Sequence, residues 1–315
     1  MEKNLSKLKY RTILDVARES VKYIDGRRKG LIKSLKTPWR KYNSVSMQGL
    51  EWHTIHTFAG MSGSGKTALL NMLETSLFEL NPDEDFEVLS MNFEMLARNL
   101  VSRKFSNKLE LTVQEIHSGL ENQFLSDYDY KKIIDVGKQL SKYPIFYVEI
   151  PGTVPQITYT IESFIQERNL VSDKKGLVVL LDHTILVKGK IGDLERATLV
   201  ELMTSFNELK KKYKIIFLLL SQLNRSIESP ERQTEPSQQF PKKADLFGSD
   251  SIFQFSDMVS VIMNPEQMGL DTYGPRAWPT EGYIYIHCIK VREGSPVIIK
   301  MLNKLKYNRI EDAID

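Results

Sequence analysis

A single cysteine, Cys288, stands in 315 residues, which excludes an internal disulfide framework and any cysteine-rich zinc site. It alternates with its neighbours in Tyr283-Ile284-Tyr285-Ile286-His287-Cys288-Ile289 and reads as a buried strand thiol. Long apolar runs are also lacking: stretches such as 215–220 are far too short to cross a bilayer, and Met1-Glu2-Lys3 leads into no signal-type segment. A cytoplasmic location without a membrane partner is therefore expected. Nor is one sign of charge in excess. Against 43 basic residues stand 40 acidic ones, a net charge of +3, so the molecule is no polycation and any nucleic-acid site must be local. Acid is missing only locally, from residues 26–50, which hold Arg27, Arg28, Lys29, Lys33, Lys36, Arg40 and Lys41. That stretch reads as a linker with little secondary structure, either solvated surface or a nucleic-acid contact.

What is present is an ordinary globular composition, 41% hydrophobic and 26% charged. The length allows one large core with a small appendage, divided here as an N-terminal helix over 1–30 and a main domain over 31–315. The chain is organised around Gly60-Met61-Ser62-Gly63-Ser64-Gly65-Lys66-Thr67, which fits G-x-x-x-x-G-K-[ST]. In that pattern glycines let backbone N–H groups of residues such as Gly60, Ser62, Gly63, Ser64, Gly65 and Ala68 turn toward phosphate oxygens. Lys66 reaches the terminal phosphates and Thr67 ligates Mg²⁺. Residues 53–59 read as a strand and 68–73 open an apolar-rich helix, so the loop sits where strand meets helix.

Residues 5–25 carry apolar positions at helical spacing, with Gly26 as the stop. Further strands are predicted at 86–92, 145–150, 176–182, 215–220, 258–263, 283–289 and 297–302. Helices are predicted around 96–108, 112–120, 129–140, 155–170 and 194–212. The run 176–182 is unbroken apolar sequence ending in Asp182, the form of a strand buried on both faces whose end meets the ligand crevice. With a P-loop upstream it is a Walker B pattern, Asp182 holding the water shell of Mg²⁺. Residues 226–250 are polar and read as a long functional or disordered loop. Strands alternating with helices in this order imply a mostly parallel, RecA-like α/β core.

The pentapeptide Ser221-Gln222-Leu223-Asn224-Arg225 after a buried strand, with the later ADLFGSDSIFQFSD, resembles the DnaB family of replicative helicases, whose pattern reads SQLNR…SDLRESGSIEQDAD. The resemblance covers about residues 5–310. It implies an ATP-dependent, ring-forming homo-hexamer that translocates on single-stranded DNA, with ATP and Mg²⁺ at subunit interfaces and a primase or loader as further partner. Glu94 in Asn92-Phe93-Glu94-Met95 matches the family's S-L-E-M glutamate that activates the attacking water. Gln222 matches the phosphate-sensing glutamine. Lys290 and Arg292 in Lys290-Val291-Arg292-Glu293-Gly294 match K-Q-R-N-G, whose basic residues act on the neighbouring subunit's nucleotide. Matching DNA-contact loops are 187–195, with Lys188 and Lys190, and the segment from Arg225 onward, with Arg225, Arg232, Lys242 and Lys243. The family's N-terminal helical domain is expected to be missing. Phe247-Gly248, Phe253-Gln254-Phe255 and Asp182-His183-Thr184-Ile185 depart from the family pattern, so the reading is of a divergent, phage-type member. Two other readings stay open: a filament-forming recombinase or strand-handling ATPase, and a regulatory nucleotide switch.

Overall fold

The computed structural model describes residues 8–119, 125–172, 174–189 and 195–313. Two compact units divide the chain, one up to Ser34 and one from Leu35 onward. The first is built on α1 (Ile13–Arg28), whose N-cap Thr12 accepts from the Asp15 N–H. The predicted stop at Gly26 is overrun, because the left-handed turn that ends this helix falls at Gly30, with φ +69°. Gly26 serves a different purpose. A Cβ there would come within 2.7 Å of the Ile32 Cδ1, so a larger residue would push the Ile32 side chain aside where the chain folds back against the helix end.

In the second unit the helices are α2 (Arg40–Val45), α3 (Lys66–Leu80), α4 (Ala97–Leu109), α5 (Val113–Ile116), α6 (Asp127–Leu140), α7 (Val154–Glu167), α8 (Glu195–Lys212), α9 (Pro230–Thr234) and α10 (Ser249–Phe255). The strands are β1 (Thr54–Gly60), β2 (Phe86–Asn92), β3 (Ile145–Val148), β4 (Gly176–Asp182), β5 (Ile215–Gln222), β6 (Met258–Met263), β7 (Thr272–Tyr273), β8 (Trp278–Pro279), β9 (Tyr283–Val291), β10 (Val297–Lys304) and β11 (Arg309–Asp312). Nine strands form one sheet in the order β11-β10-β9-β6-β1-β5-β4-β2-β3, while β7 and β8 pair separately. From β3 to β6 neighbouring strands run parallel, and β9, β10 and β11 continue antiparallel. This is the mostly parallel α/β core that alternating strands and helices predict.

The unbroken apolar runs become central strands because both faces of the sheet are covered. Leu177, Val179 and Leu181 point into one core with Ile161 of α7 and Phe206 of α8. Val178 and Leu180 point into the other with Leu69, Leu73 and Leu77 of α3. Cys288 lies in this second core, where burial pushes its thiol up to about 12. No helix among the described residues is long and apolar enough to cross a membrane.

The linker expected over residues 26–50 is corrected by the structure. Leu35 and Leu50 exchange backbone hydrogen bonds at 2.8 Å in both directions, and Leu35, Trp39, Tyr42 and Leu50 are fully buried in the second core. The Trp39 indole donates to the Ile310 carbonyl at 2.8 Å. Two large aromatic rings bury more apolar surface than the surrounding charges oppose, and the lysines and arginines snorkel outward. The helix predicted over 112–120 is also shorter: it is the single capped turn α5, and residue 120 lies outside the described residues.

Candidate functional site

Strand register assembles the site. Gly60 stands level with Gln222 across the β1–β5 pair, and Asn92 level with Asp182 across β2–β4. The Phe93 N–H donates to the Asp182 carbonyl at 2.9 Å, which carries Glu94 past the strand end on the same edge. The P-loop leaves β1 here and α3 begins at Lys66. Gly63 and Gly65 adopt φ of +77° and +101°, conformations that residues with a Cβ rarely hold. At Gly60 a Cβ would lie 2.9 Å from the Ile262 carbonyl. The loop therefore packs closer to the sheet than any other residue allows.

Ser62, Gly63, Gly65, Lys66, Thr67 and Ala68 line a cleft of about 270 Å³ with Glu94, Arg103, His183, Gln222 and Asn308. Lys66 Nζ donates to the carbonyls of Gly60 at 2.8 Å and Met61 at 2.6 Å. Burial lowers it to about 8; a phosphate anion arriving in the cleft would favour the charged ammonium and, being ionised, would be a stronger partner than the loop's own neutral carbonyls. Thr67 Oγ1 donates to Asp182 Oδ2 at 3.0 Å. Burial raises Asp182 to about 6, a shift that the Thr67 hydrogen bond opposes and the nearby Glu94 charge adds to. Ser64 is buried with its Oγ unpartnered among the described residues. A hydroxyl and a carboxylate converging on one point suit Mg²⁺. No cluster of three or more His, Cys, Asp or Glu able to hold a metal occurs among the described residues, so such an ion would take its remaining oxygens from phosphate and water.

Motif reading misses Arg103. It lies on α4, nine residues beyond Glu94, with burial lowering its pKa and the charges of Asp182 and Glu94 opposing that shift. Its signal in the sequence is only a helical phase, which becomes meaningful once the cleft is known.

Lys290 and Arg292 are at the other edge of the sheet. Lys290 pairs with Val259 and Val291 with Met258, level with His56 of β1. The four strand steps from His56 to Gly60 place this edge about 13 Å from the P-loop's start. There Lys290 Nζ donates to the carbonyls of Phe253 and, at 3.2 Å, of Gln254, and its pKa is lowered first by burial and then by Arg292. Arg292 Nε meets Asp257 Oδ1 at 3.0 Å, and Asp257 also accepts from Lys210 Nζ at 2.5 Å and from the Ile55 N–H at 2.8 Å. These two basic residues are thus not brought to their own chain's cleft.

The two loops read as DNA contacts leave β4 and β5, adjacent strands, at the P-loop edge. Lys188 is exposed, its N–H held by the Gly152 carbonyl at 3.0 Å, while Lys190 lies outside the described residues. Arg225, Lys242 and Lys243 are exposed, and Lys243 pairs with Asp250 at 3.2 Å. Arg232 is held differently. Only 14% exposed, it clamps Asp245 at 2.5 Å and donates to the carbonyls of Gln238 at 3.0 Å and Phe240 at 3.1 Å, so its guanidinium is consumed inside the segment. Nor is the stretch 226–250 an open loop: it holds α9, three 3₁₀ turns and the start of α10, with Phe240 stacked on Trp278 at 5.3 Å. The Arg232→Ala change should strand a buried carboxylate and lower stability by about 3 kcal/mol, seen as a lower denaturant midpoint. An unchanged midpoint would return Arg232 to the surface set.

Residues 35–312 match the family described as DnaB-like helicase C terminal domain. A replicative DNA helicase DnaB from Buchnera aphidicola subsp. Baizongia pistaciae is 24% identical over 75% of this chain and 47% of its own length. The namesake from Buchnera aphidicola subsp. Schizaphis graminum is 22% identical over 84% of this chain and 52% of its own. The chain thus spans about half the length of these relatives. Among solved structures, an ATPase domain standing by itself superposes with a TM-score of 0.80 at 17% identity, covering 97% of this chain and all of that one. A DnaB-like replicative helicase, solved in a study of its interactions with primase, gives 0.77 at 16% identity over 97% of this chain and 69% of its own. Those structures fix the fold as that of helicase ATPase domains, and the sequence match fixes the lineage: the chain belongs to the DnaB-like helicase C-terminal domain family.

Proposed function

We propose that this chain is the motor of an ATP-dependent DNA helicase that assembles into a homo-hexameric ring, moves along single-stranded DNA and unwinds duplex during replication. One observation carries the reading. Lys66, Thr67, Asp182, Glu94 and Gln222 converge on one edge of the sheet, while Lys290 and Arg292 stand on the other. Half of a hydrolytic site facing one way and a pair of cations facing the other suit a nucleotide bound between successive subunits.

In this reading Lys66 draws the terminal phosphates inward, and Thr67 with Asp182 would hold Mg²⁺, which supplies charge neutralisation on the phosphate oxygens. Glu94 orients the attacking water by accepting its proton's hydrogen bond. Arg103 adds positive charge from the same subunit, and Lys290 and Arg292 of the next subunit stabilise charge building on the transferred group. The Asp257 carboxylate keeps Arg292 parked until a neighbour's phosphate competes for it. Gln222 ends β5 and starts the segment bearing Arg225, Lys242 and Lys243, so a change at the phosphate moves the residues proposed to track the DNA backbone. The apolar residues exposed along α1, among them Ile13, Leu14 and Val21, suit docking on an adjacent subunit, and a primase or loader is a further proposed partner.

The test combines unwinding of forked duplexes bearing strand-specific tails with mass measurement in the presence and absence of ATP. A six-subunit species with ATP-dependent unwinding is expected. Filaments on DNA without unwinding would favour a recombinase, and ATP turnover indifferent to single-stranded DNA and to Lys66→Ala would favour a regulatory switch. In addition, Lys66→Ala and Arg292→Ala subunits, each inactive alone, should regain part of the ATPase activity when mixed. No recovery in demonstrably mixed oligomers would exclude Arg292 acting across the interface.

A further inference from the structure

Residues 264–282, between β6 and β9, have no part in the function proposed above, yet they touch both of its ends. Ile262 of β6 stands level with Gly60 of β1, so the chain leaves the sheet beside the P-loop. There the Gln267 side-chain amide donates to the Ser62 carbonyl at 3.2 Å and fills the space where a Cβ at Gly63 would stand. The Gln267 N–H is held by Asn264 Oδ1 at 3.4 Å, and the Gly282 N–H by Glu266 Oε2 at 3.1 Å, which closes the base of the excursion. Its far end, the β7–β8 hairpin, grips the basic segment. The Gly274 N–H donates to Gln239 Oε1 at 2.6 Å, and the Phe240 ring occupies the space that a Cβ at Gly274 would need. That ring stacks on Trp278 at 5.3 Å, three residues before Lys243 in the chain. The Ser62–Gly63 peptide is planar and trans, so its C=O and N–H point in opposite directions. A donor fixed on the carbonyl turns the Gly63 N–H away from the excursion, toward the cleft that Gly63 lines, and polarises it as a donor.

We propose that Gln267 is a positioning residue that orients the Ser62–Gly63 peptide for phosphate, and that the 264–282 excursion ties this orientation to the basic segment at Phe240. Nucleotide and single-stranded DNA then change each other's affinity by the same factor, along a second route besides the one through Gln222. The tie rests on the motor reading above, in which the cleft takes ATP and the segment takes DNA.

The experiment uses the full chain, a fluorescent non-hydrolysable ATP analogue with Mg²⁺, and a single-stranded thymidine oligonucleotide. Analogue Kd is measured with and without the oligonucleotide. Trp278 emission is followed in the same titrations as the difference from Trp278→Phe, because Trp39 and Trp52 lie in the other core. In the wild type the oligonucleotide should shift the analogue Kd about fivefold or more, and saturation with analogue should change Trp278 emission. Gln267→Met, of similar length but without the donor, is expected to weaken the analogue about fivefold, the worth of one hydrogen bond. It should also abolish the Trp278 response and cut the oligonucleotide's effect about threefold, with an unchanged denaturant midpoint because Gln267 is exposed. Phe240→Leu should cut the oligonucleotide's effect equally, and the double variant no further, because the two residues act in one path. Analogue binding by Gln267→Met within about twofold of wild type, an undiminished oligonucleotide effect or an undiminished Trp278 response would overturn the tie. So would additive losses in the double variant, or a wild type whose analogue affinity ignores the oligonucleotide that it binds. If Phe240→Leu lowers the denaturant midpoint, the Gln267→Met results decide by themselves. Analogue binding indifferent to Lys66→Ala, or no binding of the oligonucleotide at all, would overturn the motor reading and the tie with it.

Discussion

Replacing Glu94 by Gln is expected to lower ATP turnover by about 10²–10⁴-fold, the range removed with a general base, while nucleotide binding and stability stay near wild type. Glutamine keeps the shape and loses the ability to take a proton from water. The backbone that presents the side chain is held independently, through the Phe93 N–H on the Asp182 carbonyl at 2.9 Å. Glu94 itself is 56% exposed and its only titratable neighbour within 4 Å among the described residues is His183, at 3.8 Å, whose imidazole burial holds below its ordinary pKa, so the change leaves no buried charge unpaired. Thermal stability should move by less than about 0.5 kcal/mol. Rapid-quench measurement of the hydrolysis step, with analogue affinity measured separately, checks it. Turnover within about threefold of wild type would remove Glu94 from the chemistry and shift the role to another cleft group.

The largest stability effect is expected at Lys104. Its Nζ meets Glu74 Oε2 at 2.7 Å, and the two side chains are 3% and 2% exposed. Around this pair close the Ser90 hydroxyl, which donates to Glu74, the Tyr147 hydroxyl, which donates at 3.2 Å, and the Asn71 side-chain oxygen, which accepts from Lys104. Burial lowers the Lys104 pKa while Glu74 opposes the shift. Lys104→Met should leave Glu74 charged, desolvated and short of a partner, destabilising the fold by about 3–5 kcal/mol. The double change Lys104→Met with Glu74→Leu should restore most of that, because the cost lies in the uncompensated charge and not in the loss of a favourable pair. Denaturant midpoints at constant m-value measure both. If the single and double variants were equally unstable, the cost would have to be packing. The network also joins three parts of the site: α3 behind the P-loop, β2 that leads to Glu94, and α4 that carries Arg103. Activity should therefore fall with Lys104→Met before the protein unfolds globally.

Much of this was legible in the chain. The runs 86–92, 176–182 and 258–263 are strands at those bounds, because a parallel strand covered on both faces needs unbroken apolar sequence and little else can use it. The P-loop was legible because its glycines answer a local demand: Gly63 and Gly65 adopt backbone angles that side chains resist. Residues 35–50 were not legible in this way. Seven cations between 26 and 50 masked the signal of Trp39 and Tyr42, and the fit of Trp39 under β11 depends on a carbonyl 271 positions away in sequence.

The sequence by itself determined that a glycine-rich loop meets the carboxylates proposed to serve hydrolysis on an α/β sheet, since glycine spacing and apolar runs act through backbone angles and the nearest few residues. Tertiary structure alone decided where each charge is used. Arg232 and Lys243 stand eleven positions apart in one basic segment, yet Asp245 closes on the first and leaves the second exposed. Arg103 and Lys104 are neighbours, yet one turns to the cleft and the other into the core. Lys290 and Arg292 lie across the sheet from the P-loop because β9 runs antiparallel to β6. The reason is common to all three: a charge takes its role from the partner that desolvates or pairs with it, and that partner is chosen by long-range packing, which local periodicity does not encode.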